Sequence, residues 1–120
     1  MRKINISNYR KLCFDLDGVI CETKNNNYKK SKPKIQIIKK INSFYDYGFE
    51  IIIFTARFMG RNNDKKKYAI KAGLELTKNQ LARWGLKYHR LIMGKPSYDI
   101  IIDDKALGFK KDWYKKLIIN

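Results

Sequence analysis

Residues 49 to 54 read Phe-Glu-Ile-Ile-Ile-Phe and end at Thr55. No other segment restricts the fold as much. A strand that is apolar on both faces belongs to a parallel sheet covered by helices, whereas a half-solvated strand alternates. The preceding residues supply the helix. Pro33 suits a first helical turn. From there Ile35, Ile38, Ile41 and Tyr45 recur at helical spacing with lysines between them, and Gly48 ends the run as a left-handed cap.

The rest of the chain extends this pattern. Lys11 to Leu16 is a short, mostly apolar run ending in acid and reads as a buried strand. Gly18 allows a turn directly after it. Glu22 to Lys32, with Asn25-Asn26-Asn27, reads as a polar loop or a small hairpin. Beyond Thr55 a polar stretch, Met59 to Asp64, leads into a predicted helix over 65–72. Thr77-Lys78-Asn79-Gln80 matches a capping box, with Thr77 as N-cap of a second helix running to Trp84. Tyr88 to Met93 and Tyr98 to Ile102 are third and fourth strand candidates, and 110–119 a last helix. This alternation predicts an α/β fold: a Rossmann-like three-layer sandwich with a mainly parallel central sheet. No repeat or linker divides it, so one domain is expected over residues 1–120.

Charge and cysteines narrow the function classes. The formal net charge is +16, and a basic field attracts polyanions. Yet Lys outnumbers Arg by 21 to 6, and Ile and Asn are also abundant. All three have AT-rich codons, whereas nucleic-acid recognition draws on the guanidinium fork. Composition is therefore the preferred reading of the charge, and small phosphorylated substrates are expected as partners rather than nucleic acid. No apolar stretch approaches the ~20 residues that span a bilayer, and Met1 to Arg10 is too polar for a signal peptide. No membrane partner and a cytoplasmic location are expected. Cys13 and Cys21 do not form a disulfide framework or a metal knuckle; Cys13, in an apolar run, is expected to be buried. His89, the only histidine, is expected to cap or pack near a strand.

In open α/β sheets, ligands bind beyond the carboxyl ends of the strands. Asp15 and Asp17 end the first strand, Thr55 the second, Gly94-Lys95-Pro96 follows the third, and Asp103-Asp104 end the fourth. Four of the eleven acidic residues would then meet at one edge. Clustered carboxylates need a cation or shifted protonation. Magnesium fits, because it binds through a few carboxylates and keeps waters and substrate phosphate. No His or Cys cluster offers zinc. Lys95, the Thr55 hydroxyl and nearby backbone N–H groups would stabilise phosphate oxygens. A screened carboxylate can attack phosphorus to give an aspartyl-phosphate, and a second acid would protonate the leaving oxygen and then activate water.

These residues resemble the haloacid dehalogenase superfamily. Phe14-Asp15-Leu16-Asp17-Gly18-Val19 is similar to its first motif, Thr55 in Phe-Thr-Ala-Arg to its second, Lys95 in Gly-Lys-Pro to its third, and Asp103-Asp104 in Ile-Asp-Asp-Lys to its fourth. The match is ordered and spans residues 12 to 105. The resemblance implies that Asp15 is the nucleophile and a magnesium ligand. It implies that Asp17 is the general acid/base and ligates through its backbone carbonyl. Thr55, Ala56 and Lys95 would bind phosphate. Asp103 would complete the metal site, with Asp104 a ligand or its neighbour. An Asp two residues after the nucleophile is typical of the phosphatase branches, whereas the transport ATPases carry Thr there.

The gaps from Asp17 to Thr55 and from Thr55 to Lys95 hold only what the core needs, so no cap domain is expected. Specificity would then come from short loops such as Glu22 to Lys32, from a large substrate, or from a second subunit in a homo-oligomer. Arg57, Arg61 and Tyr28 are candidate substrate contacts. Gly-Phe-Glu-Ile-Ile-Ile-Phe-Thr-Ala-Arg, Trp84 before Tyr88, and Gly-Lys-Pro-Ser-Tyr-Asp resemble the short phosphatases of bacterial capsule and surface-polysaccharide gene clusters. That implies a sugar phosphate or similar precursor as substrate. A nucleic-acid 3′-end phosphatase and a phosphate-binding module without turnover are the alternatives.

Overall fold

The computed structural model describes residues 2–120. In chain order the elements are β1 (Ile4–Asn5), β2 (Lys11–Asp15), β3 (Cys21–Glu22), β4 (Lys32–Pro33), α1 (Ile35–Tyr47), β5 (Glu50–Thr55), α2 (Lys66–Arg83), β6 (Arg90–Met93), α3 (Trp113–Lys116) and β7 (Leu117–Ile118). The central sheet has the order β2-β5-β6 and both pairings are parallel. The architecture is the expected α/β, Rossmann-like arrangement with a mainly parallel sheet. Between β2 and β5 lie only the β3–β4 hairpin and α1, and between β5 and β6 a short 3-10 turn and α2. Among the described residues, no cap domain interrupts the core.

Register explains the core. Leu12 pairs with Ile51 and Phe14 with Ile53. With side chains alternating along each strand, these four share one face, and all are buried. Ile37, Ile38, Ile41 and Phe44 of α1, Leu81 of α2 and Trp113 of α3 join them in one cluster. Each such side chain contributes about 1.5–3 kcal/mol by leaving water. The opposite face carries Ile52, Phe54 and Ile92, which are half-buried, and Cys13, which is exposed. Cys13 is thus not the buried residue expected. It holds an odd position on an edge strand and points to the open face, while Cys21 is the buried thiol.

Other expectations are corrected. Pro33 does not open α1; it lies in β4, opposite Cys21 in an antiparallel pair. A two-stranded edge tolerates proline's missing donor, and Glu22 to Lys32 is thereby the hairpin of the two options. Thr77 caps no helix. α2 runs unbroken past it, and Thr77 and Gln80 are buried in mid-helix. Tyr98 to Ile102 forms no strand: the segment is irregular, with Ile100 75% and Ile102 88% exposed. The turn before it is the cause. Gly94 adopts φ +97°, and the Ser97 N–H and hydroxyl both donate to Asp64 Oδ1, at 3.3 and 2.6 Å. The chain is led across the loop after β5 rather than along β6. The last helix is also shorter than 110–119, because Leu117 and Ile118 pair instead with Ile4 and Asn5.

His89 packs at a strand as expected. Its N–H donates to Ile51 O and its Nδ1 accepts the Ile51 N–H, each at 2.9 Å. Gly48 caps α1 with φ +120°. Among the described residues, no helix is long and apolar enough to cross a membrane.

Candidate functional site

β2 ends at Asp15, and the chain then turns sharply. Leu16 O accepts the Ile20 N–H at 2.9 Å, and the Gly18 N–H donates to Cys21 O at 2.7 Å. Gly18 sits at φ +90°, where a side chain would strain the backbone. This turn holds Asp15 and Asp17 at one end of the sheet. Asp15 Oδ1 accepts the Leu16 N–H at 2.9 Å.

Lys95 reaches the same place from the end of β6. Its N–H donates to Thr55 O at 3.1 Å, fixing the Gly94-Lys95-Pro96 loop to the end of β5. Its Nζ lies 3.3 Å from Asp15 Oδ2, and its side chain is only 13% exposed. It also sits 5.2 Å from the centre of the Tyr98 ring. Burial acts against the Lys95 charge, but the Tyr98 hydroxyl and the Asp15 carboxylate outweigh it and raise the pKa above the ordinary value.

Asp17 is held from three directions. Arg57 Nε donates to Asp17 Oδ2 at 2.9 Å and to Oδ1 at 3.2 Å, and its NH2 donates to Oδ1 at 3.0 Å. The Thr23 hydroxyl donates to Oδ1 at 2.5 Å. Arg57 is anchored in turn by Gln80 Oε1 at 2.6 Å, Thr77 Oγ1 at 3.4 Å and Ser31 Oγ at 3.3 Å. Gln80 Nε2 donates to Tyr28 O at 2.7 Å, tying α2 to the hairpin. The arginine is 1% exposed. Cys21 lies against the same group, with Sγ 3.4 Å from Asp17 Oδ1. Burial, and then the Asp17 charge, push its thiol up to about 11, so it is no nucleophile at neutral pH.

The mouth is aromatic and cationic. The Tyr28 ring lies 4.8 Å from Phe58, with the guanidinium groups of Arg57 and Arg61 at 5.0 and 5.1 Å. Arg61 NH2 donates to Asn26 O at 2.8 Å. The cleft so formed holds about 550 Å3.

Of the residues singled out in the sequence, Asp15, Asp17, Ala56, Arg57, Arg61, Tyr28 and Lys95 all line this cleft. Thr55 does not; it is fully buried, and its Oγ1 accepts the Arg57 N–H at 3.1 Å. Arg57, expected to meet substrate, directs its guanidinium into the protein. Asp103 and Asp104 lie on the exposed segment that forms no strand, outside the cleft. Among the described residues no three acidic, His or Cys side chains are grouped to hold a metal. Asp15 and Asp17 instead face Lys95 and Arg57. Of the expected magnesium ligands, Asp15 and Asp17 thus lie in the cleft and Asp103 does not, so no step below runs through the ion.

Thr23, Ser31, Thr77, Gln80 and Tyr98 complete the site and were not expected there. Thr77 and Gln80 carried a signal, as polar residues three apart on one helix face, but it reads equally as a cap.

No family profile and no curated protein sequence matches the chain. A solved crystal structure of a structural-genomics target from Vibrio cholerae is similar to it, with TM-score 0.76 and 24% identity over 88% of this chain and 94% of that one. At that identity the likeness is one of fold.

Proposed function

We propose that this chain is a phosphomonoester hydrolase of the haloacid dehalogenase type, acting in the cytoplasm through an aspartyl-phosphate on Asp15. The observation that carries the reading is the meeting of Asp15 and Lys95 across 3.3 Å, from the ends of two parallel strands, beside Asp17. A carboxylate nucleophile, a largely buried ammonium and a second carboxyl group are parts that phosphoryl transfer to an aspartate uses.

In this reading Lys95 draws in the phosphate dianion and offsets its repulsion of Asp15. An Asp15 oxygen attacks phosphorus as the ester P–O bond breaks, and Asp17 gives the departing oxygen a proton. Asp17 then takes a proton from water as that water displaces Asp15, releasing inorganic phosphate. Tyr28 and Arg61 offer a ring face and a cation to the rest of the molecule, which suits a sugar phosphate or similar small precursor, such as one of capsule or surface-polysaccharide synthesis. Magnesium dependence also belongs to the reading, through the motif resemblance.

The test is a phosphate-release screen over sugar phosphates, nucleotides and phosphorylated amino alcohols, with and without added magnesium. Release that requires magnesium and is lost in Asp15→Asn supports the reading. Equal behaviour of wild type and Asp15→Asn on every ester overturns it. Preference for 3′-phosphorylated oligonucleotides, with steep salt dependence, would replace the small substrate by a nucleic-acid end.

A further inference from the structure

We infer that Arg57 is a positioning residue that fixes Asp17 so that one oxygen, Oδ2, handles the proton; the inference rests on the reading above. The two oxygens of Asp17 are not equivalent. Oδ1 accepts from Arg57 Nε and NH2 and from Thr23, and it faces the Cys21 thiol. Among the described residues, Oδ2 accepts only from Arg57 Nε, at 2.9 Å. A carboxylate offers about four lone-pair sites in all, so Oδ1 is filled and Oδ2 keeps one free. The side chain of Asp17 is 26% exposed while that of Arg57 is fully buried. Oδ2 is therefore the oxygen with an unfilled lone pair, on a carboxyl group that lines the cleft.

Arg57 cannot drift from this post. A guanidinium is a planar fork with five donors, and here its other contacts are Gln80 and Thr77 on α2, Ser31 just before β4, and the Cys21 sulfur. Its backbone N–H is fastened to Thr55 Oγ1. Three elements thus set the angle at which Asp17 stands. The proton count closes: Oδ2–H gives its proton to the ester oxygen as that oxygen leaves phosphorus, and the bare Oδ2 recovers a proton from the water that cleaves the Asp15–phosphorus bond.

The experiment compares kcat/KM for 4-nitrophenyl phosphate and glucose 6-phosphate. The nitrophenolate departs unaided, whereas the sugar alkoxide needs a proton. Arg57→Lys keeps the charge but not the fork, and Thr23→Val strips from Asp17 the bond to Oδ1 alone, together with the Thr23–Ser31 hydroxyl contact. Positioning predicts that Arg57→Lys lowers kcat/KM for the sugar ester by roughly 100-fold, within the range of general acid catalysis, and for the aryl ester by far less. In an Asp17→Asn background the same change has no further selective effect. Thr23→Val shifts the two esters in the same sense and less. Equal loss on both esters, or a selective loss that persists without Asp17, overturns the inference while leaving the phosphatase reading intact. A folded wild type inert toward every phosphate ester overturns both. Urea unfolding of the Asp17→Asn/Arg57→Lys cycle gives an answer independent of turnover: additive single effects contradict the coupling.

Discussion

The ring of Phe58 occupies the space that a side chain at Gly73 would need. A β-carbon built there would lie 2.0 Å from the ring. Phe58 itself holds φ +66°, a conformation that bulky residues rarely adopt, and its ring supports Tyr28 at the mouth. A glycine inside α2 is thus matched to a strained residue in the loop after β5.

Gly73→Ala is expected to destabilise the protein although alanine favours helix by about 1 kcal/mol. Overpacking against the ring costs about 1–3 kcal/mol and should prevail. Urea or thermal denaturation checks this. Phe58→Ala should remove most of the Gly73→Ala penalty, and a stabilised Gly73→Ala protein would contradict the packing described.

Gln80→Leu is expected to lose about 1–3 kcal/mol, because it leaves a buried guanidinium N–H without its acceptor. Arg57→Met should lose more, roughly 3–5 kcal/mol, since it strands the Asp17 carboxylate against a mostly dry neighbour. Equilibrium unfolding of the two variants should rank them in that order.

Lys95→Met is expected to lower turnover by roughly 100-fold, as loss of one charged stabiliser at a developing anion does. The pH dependence follows from sign. The folded pKa of Lys95 is raised, so its stabilising contribution is complete below the ordinary lysine value and fades only as pH rises through the raised one. The stability difference between wild type and Lys95→Met should be flat from pH 6 to about 9.5 and shrink above about 10.4. A difference that changes near neutrality would contradict the assignment.

The thiols give a simple check of the sheet faces. In native protein Cys13 should react with a thiol reagent and Cys21 should not, until unfolding exposes it. The Cys21 pKa rises from 9.0 to about 11 on folding, so its share of stability is present below pH 9 and is lost between those values. Cys21→Ser should flatten the alkaline end of the stability profile. Rapid native labelling of both thiols would contradict the burial.

The residues show how far such a fold can be read in advance. The apolar run into Thr55, the Gly48 cap and the acid-ended first strand lead to the parallel sheet and to Asp15, Asp17 and Lys95 at one edge, because periodicity and strand-end chemistry are local. What escaped is non-local. Thr77-x-x-Gln80 is the same string whether it caps a helix or anchors a buried arginine; only the approach of Arg57 decides. Ile100 to Ile102 has strand propensity, but the Gly94 turn and the Ser97–Asp64 bonds send it elsewhere. With it go Asp103 and Asp104, half of the expected acidic cluster. Cys13 lies on the open face of an edge strand, which the apolar run around it does not reveal.

In the proposed reaction Asp15 carries the phosphoryl group. The most direct test is acid-quenched mass spectrometry of protein turning over the best ester from the screen. The expected result is a phosphoryl adduct on the peptide containing Asp15, removed by hydroxylamine and absent from Asp15→Asn. Turnover with no adduct on that peptide, or full turnover by Asp15→Asn, would contradict it.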